Sequence, residues 1–316
     1  MRKGIILAGG KGTRLFPMTA GVNKQMQSVY DKPMIYYPLS TLVRACIQDV
    51  LIISSPDQLP LFENMLGNGK ELGLNIQYAE QPEPKGISQA FLIGEKFIDN
   101  SPCALVLGDN IFYGDDFYKD LLYISMLNTN FIFGYRVSNP QDYGVVNFEE
   151  ITFGDGETDY KVKSIEEKPK KPKTNFAVPG LYFYDNTVVE RAKALEPSAR
   201  GELEITDLNN SYIKDKKLKV KFIRDTAAWF DTGTPDSMFE AAMFIKSIQN
   251  RTGQMVGCIH EDVYKRKFLD RDSFDKMIAS LPIRSILLMW LSKLTLIHGQ
   301  LSLAAICSIC VDFPVP

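Results

Sequence analysis

Apolar residues in the first 130 positions form short β-type runs that alternate with longer segments of helical character. This alternation is typical of βαβ units and predicts a parallel sheet. Residues 104–107 form a continuous apolar run, as expected of a central strand buried on both faces, and ligands bind at the carboxyl end of such strands. The predicted strands cover residues 4–8, 50–54, 75–78 and 104–107, and the predicted helices cover residues 33–46, a segment near Leu61 and residues 87–97.

After about residue 130 the pattern changes to strands and hairpins, which predicts a mixed sheet packed against the first half. The polar, glycine- and acid-rich residues 149–160 are typical of an exposed hairpin loop. The other predicted elements are strands at residues 131–137, 143–148, 160–166, 181–184 and 218–223 and helices at residues 200–214 and 235–249. We therefore expect an α/β protein with a Rossmann-like mixed, mainly parallel sheet flanked by helices, and helices at its C-terminal end.

Residues 283–316 differ from the rest of the chain because they are strongly apolar and carry no acidic residue before Asp312. Lys293, His298 and Gly299 break the apolar runs into pieces shorter than the roughly 18–20 residues of a membrane span, so we expect no membrane helix. The alternatives are an apolar helical pair at a subunit contact and a tail foreign to the natural fold. Residues 307–310 have CxxC spacing, but one such pair is a weak zinc signal.

The composition excludes several classes of protein. With 45% hydrophobic and 23% charged residues in 316 positions, the chain is neither disordered nor fibrous. Its 36 basic and 38 acidic residues give a net charge of -2, so there is no overall basic field to hold nucleic acid. Five cysteines argue against a disulfide framework and fit a reducing cytoplasm, and the apolar residues 5–8 are too few for a signal peptide. With only His260 and His298 present, we expect Asp, Glu, Lys and Arg to carry the chemistry.

The loop LAGGKGTRL, residues 7–15, directly follows the first predicted strand. Gly9, Gly10 and Gly12 let the backbone approach a ligand and turn its N–H groups onto phosphate oxygens, while Lys11 and Arg14 add positive charge. No GK[ST] sequence closes the loop, and Leu15 stands where a dinucleotide fingerprint needs glycine. The pattern therefore indicates a phosphate-binding loop of another kind, the alternative being a simple strand-to-helix turn.

Charged residues beyond this loop supply further candidates. Lys24 precedes Gln25 in a polar segment, and a lone lysine is ordinarily a surface charge. Asp109 follows the buried strand of residues 104–107, and Asp231 lies between an apolar pair and a turn, so the two carboxylates are candidate Mg²⁺ ligands. Aspartate beside glycine is more commonly a turn or cap residue. The EEKP sequence at residues 166–169 could hold sugar hydroxyls and a phosphate, or could simply be a solvated strand end.

In this order the segments resemble the sugar nucleotidyltransferases, over residues 3 to about 270. The matching segments are KGIILAGGKGTRL (3–15), VYDKPMIYYPLSTL (29–42), QPEPKGISQAF (81–91), ALVLGDNIFYG (104–114), YGVVNF, EEKP, GLYFYDN (180–186), ARGELEITD (199–207) and AWFDTGTPDS (228–237). The resemblance implies Mg²⁺-dependent transfer of a thymidylyl group from dTTP to α-D-glucose 1-phosphate, with release of pyrophosphate. Uridylyl transfer from UTP, or a non-catalytic regulatory subunit that binds nucleotide sugars, are the alternatives.

The resemblance further implies three regions: a nucleotide-binding α/β part at residues 1–130, a β-rich part binding the sugar phosphate at residues 131–240, and a C-terminal helical region at residues 241–316. It also implies a homotetramer, although the chain departs from its relatives after about residue 282. By position, the resemblance implies that the nucleotide contacts Leu7, Gly9, Gly10, Gly12, Thr13, Arg14, Lys24, Gln25, Gln81 and Gly86. It implies that the sugar phosphate contacts Asn110, Gly144, Glu167, Lys168 and Val178, and that Asp109 and Asp231 bind the metal. The implied catalytic residues are Arg14, Lys24, Asp109 and Lys168.

The implied mechanism follows from charge. The phosphate oxygen of the sugar is already anionic, so no general base is required to make it a nucleophile. The enzyme must instead place this oxygen in line with the α-phosphorus and neutralise the charge on the departing pyrophosphate. Arg14, Lys24 and Mg²⁺ are expected to do so, with Lys168 holding the attacking phosphate.

Overall fold

The computed structural model describes residues 2–10, 12–152 and 158–280. Within these ranges the chain forms an α/β fold, as the sequence predicts. Lys11, residues 153–157 and the apolar segment 283–316 with its CxxC pair lie outside the described residues, so the interpretations placed on them stay predictions.

Fourteen strands occur in the described ranges. Most of the predicted strands are found within a few residues of their expected ends, and the main additions are short pairs such as β7 and β14. The strands are β1 Lys3–Leu7, β2 Ser28–Val29, β3 Lys32–Pro33, β4 Asp49–Ser54, β5 Asn75–Glu80, β6 Cys103–Leu107, β7 Asn110–Tyr113, β8 Asn130–Arg136, β9 Gly144–Thr152, β10 Thr158–Glu167, β11 Phe176–Ala177, β12 Leu181–Tyr184, β13 Leu218–Phe222 and β14 Ala228–Asp231.

Ten α-helices accompany these strands in the same ranges. The predicted helix at residues 87–97 is divided into two short helices, with Gly94 between them. The helices are α1 Tyr36–Arg44, α2 Leu59–Leu66, α3 Gln89–Ile93, α4 Glu95–Ile98, α5 Asp115–Met126, α6 Val188–Lys193, α7 Ile205–Lys214, α8 Pro235–Thr252, α9 Ile259–Lys265 and α10 Arg271–Ser280.

A ten-stranded mixed sheet forms the centre of the molecule, in the order β10-β9-β11-β8-β12-β6-β1-β4-β5, with β13 beside β8. Strands β6, β1, β4 and β5 are parallel, as the alternating pattern predicts. Leu7 at the end of β1 pairs with Leu107 at the end of β6, and both strands are buried within the sheet. The glycine loop and Asp109 therefore leave the sheet side by side at the carboxyl edge of its parallel part.

A separate two-stranded ribbon stands beyond that edge. Its strands β7 and β14 are antiparallel, and their register pairs Asn110 with Asp231. Both the backbone N–H and the hydroxyl of Thr232 donate hydrogen bonds to the carbonyl oxygen of Asp109, at 3.1 and 2.8 Å. The ribbon thereby brings together two segments that are more than a hundred residues apart in the chain.

The C-terminal helices dock on α1 through a buried polar contact. Arg44 and Asp262 form an ion pair at 2.8 Å, and the hydroxyl of Ser40 donates to the same carboxylate at 2.6 Å. The guanidinium of Arg44 also lies 4.0 Å from the centre of the Tyr118 ring. Because Asp262 is only 2% exposed, these partners are required to keep its charge inside the protein.

Two predicted elements have different limits in the structure. Strands β9 and β10 extend through much of residues 149–160, so the exposed loop expected there is shorter, and its centre is not described. The helix expected from residue 200 begins only at Ile205, because residues 198–203 form a turn and then bond to another loop. The N–H of Leu203 donates to the carbonyl of Lys85 at 2.8 Å, and Ser88 donates to the carbonyl of Leu203 at 3.1 Å.

Among residues 2–10, 12–152 and 158–280, no helix has the length and apolar character that crossing a membrane requires.

Candidate active site

The carboxyl edge of the parallel strands opens into a cavity of about 380 Å³. The glycine loop after β1 forms one wall, and the β9–β10 hairpin forms the opposite wall. Of the predicted site residues, those that line this cavity are Leu7, Gly10, Arg14, Gln81, Gly86, Asp109, Asn110, Gly144, Glu167, Lys168, Val178 and Asp231. The cavity therefore brings together residues that the sequence spreads over more than 220 positions.

The carboxylate of Asp109, which lines this cavity, is fixed by two side chains. One of its carboxylate oxygens accepts a hydrogen bond from the ammonium of Lys24 at 2.5 Å, and the other accepts from the amide of Asn110 at 3.0 Å. Burial opposes ionisation, but the charge of Lys24 and these hydrogen bonds outweigh it and hold the pKa of Asp109 below its usual value. Asp109 is therefore an anion whose orientation is set before any ligand binds.

Asp231 is the second carboxylate named as a metal ligand, and its pKa is shifted in the opposite direction to that of Asp109. Burial and the nearby negative charge of Asp109 raise its pKa, although Lys24, Arg14 and Lys168 all act to lower it. The negative charge of Asp109 opposes the ionisation of Asp231, and a divalent cation bound between the two carboxylates would relieve this repulsion.

These two carboxylates fit a magnesium site of the kind that is completed by substrate. Mg²⁺ prefers oxygen ligands and is commonly bound by one or two carboxylates, with water and phosphate oxygens supplying the rest. Across the described ranges there is no cluster of three or more His, Cys, Asp or Glu side chains that could enclose a metal without such help. Asp109 and Asp231 are thus the residues that would hold Mg²⁺ in this cavity.

Lys24, like Gln25, does not line the cavity, but it contacts Asp109, which does. It stands in the 3-10 turn Lys24–Met26 and is only 6% exposed. The neighbouring residue Gln25 packs against Gly108, and its amide oxygen is buried without a hydrogen-bond partner among the described residues. An unsatisfied buried acceptor is costly, and its presence beside Asp109 marks this segment as one selected for something other than stability.

The glycine loop and Arg14 form the phosphate side of the cavity. Arg14 belongs to the turn Thr13–Leu15 and lies so close to Gly233 that a Cβ there would be 2.7 Å from its guanidinium. Thr13 is exposed and lines neither this cavity nor the adjoining one, and Gly12 packs next to Lys24 instead. Among the described residues of the loop, Arg14 therefore supplies the positive charge and Gly10 the open backbone.

The adjoining cavity, of about 360 Å³, continues from the first on the other side of Gly10. It is lined by Gly9, Gln81 and the segment 19–23, together with residues 55–58. Gln81 lines both cavities, as Gly10 does. The two cavities are separate compartments that meet at these residues, which suits a ligand with two chemically different ends.

The opposite wall carries the residues expected to hold the sugar phosphate. Glu167 pairs with Gly144 in the β9–β10 ladder, and one of its carboxylate oxygens accepts the hydroxyl of Thr206 at 3.0 Å. Lys168 has the left-handed backbone conformation, with φ of 43°, and its N–H donates to the carbonyl of Tyr143 at 3.0 Å. This bend after β10 turns the chain at the rim of the cavity, where Lys168 is exposed.

Asn110 links this wall to Asp109. Its side-chain oxygen accepts hydrogen bonds from the N–H of Gly180 at 2.9 Å and from the indole of Trp229 at 2.7 Å. These two donors fix the amide so that its nitrogen faces Asp109.

Several residues of the cavity were not assigned a role from the sequence. Arg200, Glu202, Glu204 and Thr206 lie in the segment ARGELEITD, and Trp229 lies in AWFDTGTPDS. Both segments carry the family resemblance, so the signal was present, but only the structure shows that these side chains face the ligand space.

Comparisons with known proteins agree with this geometry. A family model described as nucleotidyl transferase matches residues 3–248. A glucose-1-phosphate thymidylyltransferase of Neisseria meningitidis is 49% identical over 276 residues, which are 87% of this chain and 93% of that protein. A Bacillus anthracis protein assigned to the same activity, solved in complex with sucrose, is 38% identical with a TM-score of 0.68, over 77% of this chain and 95% of the other.

A more distant structure is that of UDP-glucose pyrophosphorylase complexed with UDP-glucose, which is 24% identical over 78% of this chain and 99% of that one. Its TM-score is also 0.68, and at this identity the comparison supports the fold alone. The fold and the cavity define a nucleotide-transferring enzyme of the α/β class. The chain belongs to the nucleotidyl transferase family, and the curated relatives that resemble it are glucose-1-phosphate thymidylyltransferases. The resemblance seen in the sequence is therefore confirmed.

Proposed function

We propose that this protein transfers a thymidylyl group from dTTP to the phosphate of α-D-glucose 1-phosphate and releases pyrophosphate. The observation that carries the proposal is the convergence of two carboxylates and two cations on one cavity, with a third cation paired to one of the carboxylates: the cavity is lined by Asp109, Asp231, Arg14 and Lys168, and Lys24 is bonded to Asp109. Paired carboxylates surrounded by cations are suited to holding phosphate groups and a divalent metal, and are not needed by a protein that only packs a fold.

The nucleotide would occupy the side of the cavity formed by the glycine loop. Gly10 leaves the backbone open, Arg14 lies beside Gly233, and Gln81 stands where the two compartments meet. In this placement the base lies at Gln81, where the two compartments meet, and the triphosphate extends toward Arg14 and Asp109. Mg²⁺ bound by Asp109 and Asp231 would supply positive charge to the phosphates.

The sugar phosphate would occupy the opposite wall. Glu167, held by Thr206, presents a carboxylate that can accept sugar hydroxyls, and Lys168 at the rim can bind the phosphate. The amide of Asn110 and the backbone of Gly144 and Val178 line the space between them.

The reaction then needs placement and charge neutralisation only. An oxygen of the sugar phosphate attacks the α-phosphorus of the nucleotide, the bond to the β-phosphate bridging oxygen breaks, and pyrophosphate departs with the electron pair. Lys24 and Arg14 stabilise the charge that develops on the transferred and departing phosphates. No proton has to be removed from the nucleophile, so no histidine is required.

Three finer expectations accompany the proposal. Dependence on Mg²⁺ rests on the chemistry of the two carboxylates. The homotetramer rests on the resemblance and the cytoplasmic location on cysteine usage, and both stay predictions. The three regions expected along the chain also stay predictions. Uridylyl transfer from UTP is the rival activity, because thymine and uracil have the same hydrogen-bonding edge.

The test is a pyrophosphate-release assay with purified full-length protein, α-D-glucose 1-phosphate, and dTTP, UTP or ATP, each with and without Mg²⁺. We expect Mg²⁺-dependent release that is fastest with dTTP. A clear preference for UTP would establish the rival activity. Binding of dTDP-glucose without release from any nucleotide would show a regulatory subunit that binds nucleotide sugars.

A further inference from the structure

Two glutamine side chains form a hydrogen-bonded pair at the junction of the two compartments. Gln81 directly follows β5 and is only 2% exposed. Its amide nitrogen donates to the amide oxygen of Gln89, the first residue of α3, at 2.8 Å. The same oxygen of Gln89 accepts the backbone N–H of Lys85 at 2.9 Å.

This arrangement fixes the direction of both amides. A backbone N–H can only donate, so the atom of Gln89 that faces Lys85 must be the oxygen. An oxygen can only accept, so the atom of Gln81 that faces it must be the nitrogen. The backbone of the loop at residue 85 therefore determines, through Gln89, which way the amide of Gln81 points.

The consequence is a defined pattern on the free edge of Gln81. Its oxygen points toward Gly9, where a Cβ would be 2.0 Å away, and it accepts no hydrogen bond from any described residue. Its nitrogen keeps a second hydrogen that is not used on Gln89. An acceptor beside a donor is thus available to a ligand. Gly86 lines the same cavity, in a loop held by Leu203, and its N–H, which donates to none of the described residues, is a further donor.

We propose that Gln89 is a positioning residue that makes this site specific for a pyrimidine imide, and this inference rests on the proposed function. Thymine and uracil present an N3–H beside a carbonyl oxygen, which complements the acceptor and the donor of the Gln81 amide. Cytosine has a lone pair at N3, which would face the lone pairs of the Gln81 oxygen. An amide free to rotate by 180° would accommodate cytosine, but the pair with Gln89 prevents that rotation.

The test compares dTTP with dCTP, which share the same sugar and triphosphate, as substrates for pyrophosphate release with α-D-glucose 1-phosphate. Gln89→Met removes the acceptor, whereas Gln89→Glu retains an acceptor for both donors. Gln77→Met serves as the control, because Gln77 is an exposed residue on β5 outside both cavities. The measured quantity is the ratio of kcat/KM for dTTP to that for dCTP in each variant.

We expect Gln89→Met to lower this ratio at least tenfold, mainly by raising the KM for dTTP, because a tenfold change corresponds to the loss of about one hydrogen bond. Gln89→Glu and Gln77→Met should keep the ratio within about threefold of the wild type, as the retained acceptor still fixes Gln81. An unchanged ratio in Gln89→Met, or equal losses in Gln89→Met and Gln89→Glu, would overturn the role of Gln89 alone. Absence of dTTP turnover by the wild type would instead refute the proposed function.

Discussion

Lys24 and Asp109 form an ion pair at 2.5 Å, with side chains that are 6% and 22% exposed. The pair joins a 3-10 turn near the N-terminus to the end of the central strand β6. Because Lys24 is nearly buried, its charge is directed at the carboxylate and the adjoining cavity rather than at solvent. The arrangement makes Lys24 the cation whose position is most strictly fixed with respect to Asp109.

Replacing Lys24 by methionine removes this charge while keeping most of the buried side-chain volume. We expect kcat for pyrophosphate release to fall about 10²- to 10³-fold, as for the loss of one donor that stabilises transition-state charge. Lys32→Met is a matched control, since Lys32 also forms an ion pair at 2.5 Å, but its partner Asp31 lines neither cavity. Steady-state kinetics should show activity lost only in Lys24→Met; equal activity in the two variants would contradict the assignment.

Gln25 should limit stability and support activity. Its amide oxygen is buried without a partner among the described residues, and leaving such a group unsatisfied costs about 1–3 kcal/mol. We therefore expect Gln25→Met to raise the free energy of unfolding by about 1 kcal/mol and to lower kcat/KM at least tenfold.

Denaturant titration and kinetics on the same preparation test both effects of Gln25→Met. Gln27→Met provides the comparison, because Gln27 lies two residues further along and its side-chain amide donates to the carbonyl of Met18. A Gln25→Met protein that is less stable yet fully active would disprove the functional reason for the buried acceptor.

His260 makes the fold sensitive to acid. Burial lowers the pKa of His260 from 6.5 to about 4. Between these values the unfolded chain binds a proton that the folded protein does not, so stability falls as the pH decreases through that window. Between about pH 7 and pH 5, protonation of His260 in the unfolded chain lowers the free energy of unfolding by about 2 kcal/mol.

The effect of His260 is measured by comparing the wild type with His260→Gln in denaturant titrations at the two pH values. The variant lacks the titrating group, so its stability should decrease less on acidification. Identical pH dependence in the two proteins would show that His260 does not titrate in this way.

Much of the fold follows from local sequence. The apolar runs of β1, β4 and β6 and their alternation with helices predict a parallel sheet, and the shared carboxyl edge of its strands places the glycine loop beside Asp109. These features depend on short-range patterns, which the sequence displays directly.

Other features depend on partners that are distant in the chain. Strand β7 is only four residues long, and its partner β14 begins 118 positions after β7 does. No local pattern therefore indicates that Asp231 approaches Asp109, and this expectation comes from the resemblance. The segment 200–204 has a helical composition, but bonds between Leu203 and the loop at residues 85–88 hold it out of the helix. The pairing of Gln81 with Gln89 likewise depends on a backbone N–H that no pattern indicates.

The central claim is that Asp109 and Asp231 act together on a divalent cation during nucleotidyl transfer. The most direct measurement is a Mg²⁺ titration of dTTP-dependent pyrophosphate release by the wild type and by Asp231→Asn, which retains the shape of the side chain. We expect the variant to lose about 10²- to 10³-fold in kcat and to need at least about tenfold more Mg²⁺ for half-maximal rate. Superimposable Mg²⁺ curves with equal kcat would contradict the claim.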